Sequence, residues 1–218
     1  MSYYSYIATR IGIMARAASI IPRKQPTQGR SAQTVEAILE AAARILETDG
    51  LAGYTTNRIA ETAGVSVGSL YQYFPNKEAV TAALVLADSQ RFLTRMQETA
   101  ARVKNAPVDV AIAELVEVSV AHHTDRPELS RLLDQEEGRL ALHEDLLGVR
   151  AGIFNVVHEL MDSRKLETPF EPEAATQDIL ALVQGITDKA CLHGETDLEV
   201  IKVRVCYAVF GYLRLPAS

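Results

Sequence analysis

The sequence predicts an all-α fold: a small head holding two short helices around a tight turn, then a larger helical body. Three observations carry this. From Ser31 onward, apolar residues recur at helical spacing in almost every stretch. Only Val203, Val205, Tyr207 and Val209 alternate like a strand. They have no second strand candidate to pair with, and Leu198, Ile201, Val205, Ala208 and Tyr212 fit a helix over the same ground. Residues 55–77 read as two short helices around a tight turn at Gly64.

Composition narrows the possibilities. The chain has 218 residues, 48% of them apolar and 23% charged, which excludes a disordered chain and leaves ample material for a core. No run approaches the roughly 18 apolar residues of a membrane span, so no membrane partner is expected. Two cysteines, Cys191 and Cys206, make neither a disulfide framework nor a zinc site, which suits a reducing, cytoplasmic setting. The net charge of −6 is unevenly spread: residues 1–80 carry 8 basic against 6 acidic side chains, and residues 81–218 carry 14 against 22. A basic head on an acidic body suits a head that meets a polyanion.

In chain order, residues 1–30 form a flexible basic arm. Arg10, Arg16, Arg23, Lys24 and Arg30 come with no acid, and Pro22 and Pro26 forbid a helix between them. The apolar stretch Ile11 to Ala15 is too short for a secretory signal, and Met14 is a plausible alternative start. Residues 31–80 form the head. Val35, Ile38, Leu39, Ala42, Ile45 and Leu46 make one stripe, with Ser31 as N-cap and Gly50 as the stop. Two short helices follow, Thr56 to Ala63 and Ser66 to Tyr73. Pro75 and Asn76 then break the chain, and Asn76 caps a long helix with Glu78 in its first turn. Residues 81–218 form the body. Its stripes run through Leu93, Met96, Ala100 and Val103, then Ile112, Leu115, Val116 and Ser119 with a stop before Pro127. They resume with Leu146, Ile153, Val157 and Leu160, and then Ile179, Leu182, Val183, Ile186 and Ala190.

No catalytic or metal site is expected, and no cofactor. Gly64-Val65-Ser66-Val67-Gly68 has the spacing of a hydrolase nucleophile turn, but that motif needs a strand before it and here a helix precedes it. The five histidines show no metal-ligand spacing. The helix-turn-helix is more informative. Ile59, Ala60 and Ala63 would pack against Val65, Leu70 and Phe74, and Ser66 would cap the second helix. Small Gly68 and Ser69 let its N-terminus approach another surface closely. Tyr71, Gln72 and Tyr73 would face outward, with Lys77 nearby as a cation. A recognition helix in the DNA major groove needs these features.

Residues 34–81 resemble the DNA-binding domain of TetR/AcrR-type bacterial transcriptional regulators. The matching pieces are A-I-L-E-A-A-A-R-I-L, T-T-N-R-I-A-E-T-A-G-V-S and V-G-S-L-Y-Q-Y-F-P-N-K-E-A. The resemblance implies a three-helix, helix-turn-helix DNA-binding head on a helical ligand-binding and dimerisation bundle, in a repressor that works as a homodimer through its last two helices on double-stranded, palindromic operator DNA. By position it makes Thr55 and Thr56 phosphate-facing, followed by Asn57 and Arg58. Val67, Gly68 and Ser69 become the tip of the recognition helix, Tyr71 and Tyr73 phosphate or base contacts, and Lys77 a phosphate contact. Val67 departs from a base-reading role, since an apolar side chain can touch a thymine methyl but cannot hydrogen-bond a base. The rival classes are a small all-helical enzyme and a protein-binding adaptor. The first requires a nucleophile–base or metal constellation, and none is visible.

The body carries two further expectations. A small hydrophobic or amphipathic effector should sit among the helices around 80–104, 108–124 and 142–165. Leu93, Met96, Leu115, Phe154 and Val157 would line its site, with His123, His143 or Arg150 as polar anchors. Ile179, Leu182, Val183, Ile186, Leu198, Ile201, Val205 and Tyr212 should form the dimer face, since so much apolar surface is not left in water.

Overall fold

The computed structural model describes residues 29–166 and 168–214. The basic arm ahead of Gly29 lies outside the described residues. Nine helices run in order among those described: α1 (Gly29–Gly53), α2 (Thr56–Thr62), α3 (Val67–Tyr73), α4 (Lys77–Arg102), α5 (Val108–Thr124), α6 (Pro127–Arg139), α7 (His143–Ser163), α8 (Pro172–Leu192) and α9 (Leu198–Leu213). None of the described residues forms a strand, and no helix among them is long and apolar enough to cross a membrane. The chain divides into two compact units, one ending at Asp88 but taking back Glu128–Leu146, the other holding Ser89–Pro127 and everything from Leu147. The head therefore includes α6, which chain order alone assigns to the body.

In the first unit the stripe of α1 is buried along its whole length, from Val35 through Ile38, Leu39, Ala42 and Ile45 to Leu46. At Gly50 the backbone takes φ 60° and ψ −163°, leaves the helix, and resumes for a last turn to Gly53. A side chain is disfavoured at that left-handed φ. Tyr54 then plugs the core at 1% exposure, its hydroxyl 3.1 Å from Thr81 Oγ1, which also donates to the Lys77 carbonyl at 3.0 Å. Burial pushes the Tyr54 phenol far above its ordinary pKa, so it stays neutral.

Helix α6 corrects the sequence reading, which stops α5 before Pro127 and leaves the next segment without an element. Pro127 instead opens α6, where its missing N–H costs nothing. Leu129, Leu132, Leu133 and Glu136 make its buried face. Glu136, only 3% exposed, keeps its charge company within the same helix: both its oxygens accept from Arg139 Nε at 2.8 and 2.9 Å, and Oε2 accepts from Nη2 at 2.6 Å.

The second unit buries Ile112, Leu115, Val116, Val118 and Val120 of α5 with Val156, Val157 and Met161 of α7 and with Ile201, Val205, Val209 and Phe210 of α9. Polar ties fix the helix ends. Arg102 Nη1 donates to Glu114 at 2.8 Å, and Arg164 Nη2 donates to the carbonyls of Val103 and Lys104 at 3.2 and 2.8 Å. Lys202 pairs with Glu117, and the Tyr212 hydroxyl donates to Asp178 Oδ2 at 2.7 Å. Burial also pushes the Cys206 thiol up, toward its unreactive protonated form. Helices α4 and α7 touch at Gly152, where an added Cβ would lie 2.7 and 2.9 Å from the two methyl carbons of Leu93. Leu93 is itself buried, with little room to swing away.

Gly152→Ala is therefore expected to cost about 1–3 kcal/mol in urea unfolding through overpacking. Gly138→Ala in α6 meets nothing within 4 Å and should gain up to about 1 kcal/mol from helix propensity. Equal effects at the two positions would mean that α4 and α7 are not in close contact.

Candidate functional site

The helix-turn-helix is held by hydrogen bonds that its own sequence supplies. Thr55 caps α2, its hydroxyl accepting from the Arg58 N–H at 3.2 Å. Gly64 turns the chain at φ +67°, and Ser66 caps α3 by accepting from the Ser69 N–H at 3.0 Å, with the two hydroxyls 2.7 Å apart. The serine of the hydrolase-like pattern is thus a helix cap. Ile59, Ala60, Leu70 and Phe74 lock the two helices together, each at 1% exposure or less.

The polar side chains fall on the outside, with one exception. Thr55, Asn57, Arg58, Ser66, Val67, Gly68, Tyr71, Gln72 and Lys77 are exposed, while Thr56 and Ser69 are half-buried. The Thr56 hydroxyl lies 3.2 Å from that of Tyr71, so α2 and α3 present them as a pair. Tyr73 is the exception. It is buried at 9% exposure and packs inward, because α3 places residues 70, 73 and 74 on one face. Its ring thus departs from the outward placement that its position in the sequence suggests.

Two cations border this surface. Arg58 sits 3.5 Å from Glu61 and 4.0 Å from Asp49, exposed pairs that are weak and easily exchanged. Lys77 occupies the first turn of α4, beside the Asn76 side chain that accepts from the Ala79 N–H at 2.8 Å. A cation is disfavoured at a helix N-terminus, and an anion there is favoured by both the dipole and the open N–H groups. The arrangement suits phosphate.

Within the second unit, an apolar cavity of about 50 Å³ opens between α4, α5, α7, α8 and α9. Met96, Leu115 and Val157 line it as the sequence suggests. Ile112, Val116, Ser119, Leu160, Met161, Leu166, Ile179, Leu180, Val183, Val209 and Leu213 complete the wall. The remaining expected residues lie elsewhere. Leu93 packs against Gly152 at the helix crossing, and Phe154 stacks on His158 with ring centroids 5.4 Å apart. His123 faces Asp188 at 3.8 Å, Arg150 is exposed on α7, and His143 belongs to the first unit. None of these five is on the cavity wall.

The expected dimer face also turns inward. Ile201 and Val205 are fully buried and Ile179 nearly so, while Ile179 and Val183 wall the cavity. Leu182, Ile186 and Leu198 are half-buried, and Tyr212 stacks on Phe170 at 5.6 Å. The exposed apolar side chains of these helices are instead Leu192 (66%), Val200 (45%), Val203 (51%) and Tyr207 (63%).

The model for bacterial regulatory proteins of the tetR family matches residues 38–84, the whole of the helix-turn-helix. The transcriptional regulator RutR of Escherichia coli (strain K12) is 34% identical over 174 residues, covering 75% of this chain and 80% of that protein. The chain belongs to the tetR family. The fatty acid metabolism regulator protein of Bacillus subtilis is 23% identical over 124 residues, and the match spans 57% of this chain and 64% of that protein, less than two thirds of its length. Among solved structures, the fatty acid degradation regulator FadR of Bacillus halodurans shares the fold, with a TM-score of 0.68 at 23% identity over 88% of this chain and all of that one.

The family match ends before the cavity and the exposed apolar face begin. Within it Tyr71 faces outward as expected and Tyr73 packs inward instead, a division that is testable. Tyr73→Ala should lower unfolding stability by about 3 kcal/mol or more, as a core truncation does, while Tyr71→Ala should change it by under about 0.5 kcal/mol. Similar losses in chemical denaturation would contradict the inward packing of Tyr73.

Proposed function

We propose that the chain is a sequence-specific DNA-binding transcriptional repressor, released by a small apolar or amphipathic effector and acting as a cytoplasmic homodimer on a palindromic operator. The carrying observation is the tip of α3, exposed at Val67 and Gly68 and accompanied by exposed Tyr71, Gln72 and Lys77, in a chain of this family. In this reading Thr55, Thr56, Tyr71 and Lys77 hold phosphates and set the register on the duplex. Asn57, Arg58 and Gln72 reach base edges, and Val67 meets a thymine methyl. The basic arm of residues 1–30 adds further phosphate contacts.

Dimerisation follows from the exposed face of α8 and α9. Val200, Val203 and Tyr207, three exposed apolar residues at helical spacing on α9, together with Leu192 at the end of α8, give a second copy an apolar surface to cover symmetrically. Two heads then engage two half-sites, and linkage raises their combined affinity well above that of either. The apolar cavity supplies the effector site, and the two relatives named for fatty acid regulation are in keeping with an apolar ligand.

Footprinting on the DNA upstream of its own gene and of neighbouring genes tests the reading directly; no protected site at any of them would overturn it. Lys77→Ala should weaken binding to all sequences alike and flatten the salt dependence by about one unit of slope. Gln72→Ala should instead relax base choice at one position by about 1–3 kcal/mol. Val203→Asp or Tyr207→Asp should yield folded monomers with poor operator binding. Ile186 is a worse probe, because it packs against the subunit's own core. A dimer surviving both exposed-face changes in sedimentation would place the interface elsewhere.

A further inference from the structure

The cavity wall is more particular than a generic apolar site. Apart from Ser119 it is hydrocarbon and thioether, and the Ser119 hydroxyl already donates to the Leu115 carbonyl at 2.9 Å. A charged group buried there would find no partner, at a cost that excludes it. The volume of about 50 Å³ is also small. It is about a third of the ~150 Å³ apolar cavity known to hold benzene, so a ring does not enter the resting wall. A ligand must be slim, and the wall must give.

The wall gives in two places. Valines and isoleucines such as Val116, Val157 and Ile179 are stiff about their first torsion. Met96 and Met161 have three rotatable bonds each and adapt to irregular space. No strong hydrogen bond ties either sulfur: the Ser119 hydroxyl lies 3.7 Å from Met96 Sδ while donating to the Leu115 carbonyl, and the Thr176 hydroxyl lies 3.6 Å from Met161 Sδ while donating to the Pro172 carbonyl at 2.8 Å. Moving either thioether therefore breaks only a weak polar contact.

We propose that this slot takes an unbranched, uncharged alkyl chain, with any polar end left in water, and that Met96 and Met161 are the movable side chains that admit it and set its width. The proposal rests on the effector reading above and deepens it to a ligand class.

The test uses the full chain with 1-decanol and 1-adamantanol, which share carbon number and hydroxyl head but differ in shape. At about ten times its Kd, 1-decanol should raise the melting temperature by about 3 °C or more, and 1-adamantanol should leave it unchanged. Met96→Ala combined with Met161→Ala should let 1-adamantanol stabilise the protein, and Val157→Phe should abolish the 1-decanol shift. Met161→Leu, which keeps volume and loses flexibility, should weaken 1-decanol about tenfold and guards against a double variant that does not fold. Equal shifts from both alcohols in the unaltered protein would overturn the proposal, as would a 1-decanol shift undiminished in a folded Val157→Phe. Operator binding measured alongside separates the readings: DNA bound with no 1-decanol effect sinks the ligand class alone, whereas no DNA bound sinks the regulator.

Discussion

A seven-residue helix does not persist in water by itself, since nucleation consumes most of what so few hydrogen bonds return. Everything that α3 presents to a partner therefore depends on its anchorage to the rest of the head. Leu70, Tyr73 and Phe74 hold one side of it in the core, and the Ser66 hydroxyl satisfies the open N–H of Ser69 in its first turn. The same holds for α2, fastened by Ile59 and Ala60 and capped by Thr55. The remaining exposed residues are free to be chosen for a partner because the buried side chains and the two capping hydroxyls decide the conformation.

This division explains what was legible in the sequence. The α1 stripe, the Gly64 turn and the Asn76 cap are local patterns, and local patterns survive folding. Tyr73 was not legible, because on so short a helix an amphipathic side chain fits either face until its neighbours are known. Helix α6 was hidden by Pro127, read as a break although proline is equally at home at a first turn, and by Glu136 interrupting an otherwise apolar stripe. Only the Arg139 pairing makes that carboxylate acceptable in the core.

In the second unit the difficulty was different: α9 carries apolar side chains on two of its faces. Val205 and Val209 face the subunit's core, while Val200, Val203 and Tyr207 face out. Taken in order, residues 203, 205, 207 and 209 alternate between those two faces, which is why they mimic a strand. A helix serving two apolar surfaces has no single moment to read, so sequence assigned its inner face to the partner. Cavity walls are harder still, since fourteen lining residues come from five helices and one connecting segment.

Lys77 carries a consequence of another kind. Its charge stands where the dipole of α4 disfavours it, with Glu78 in the same turn as partial relief. A phosphate removes the mismatch, but the unbound head lives with it. Adaptive drift toward heat resistance, in a lineage that rarely needed the operator, would discard this lysine early. On the proposed phosphate-contact role, its persistence in a set of descendants would mark which of them still regulate, and its loss would be a molecular trace of disuse.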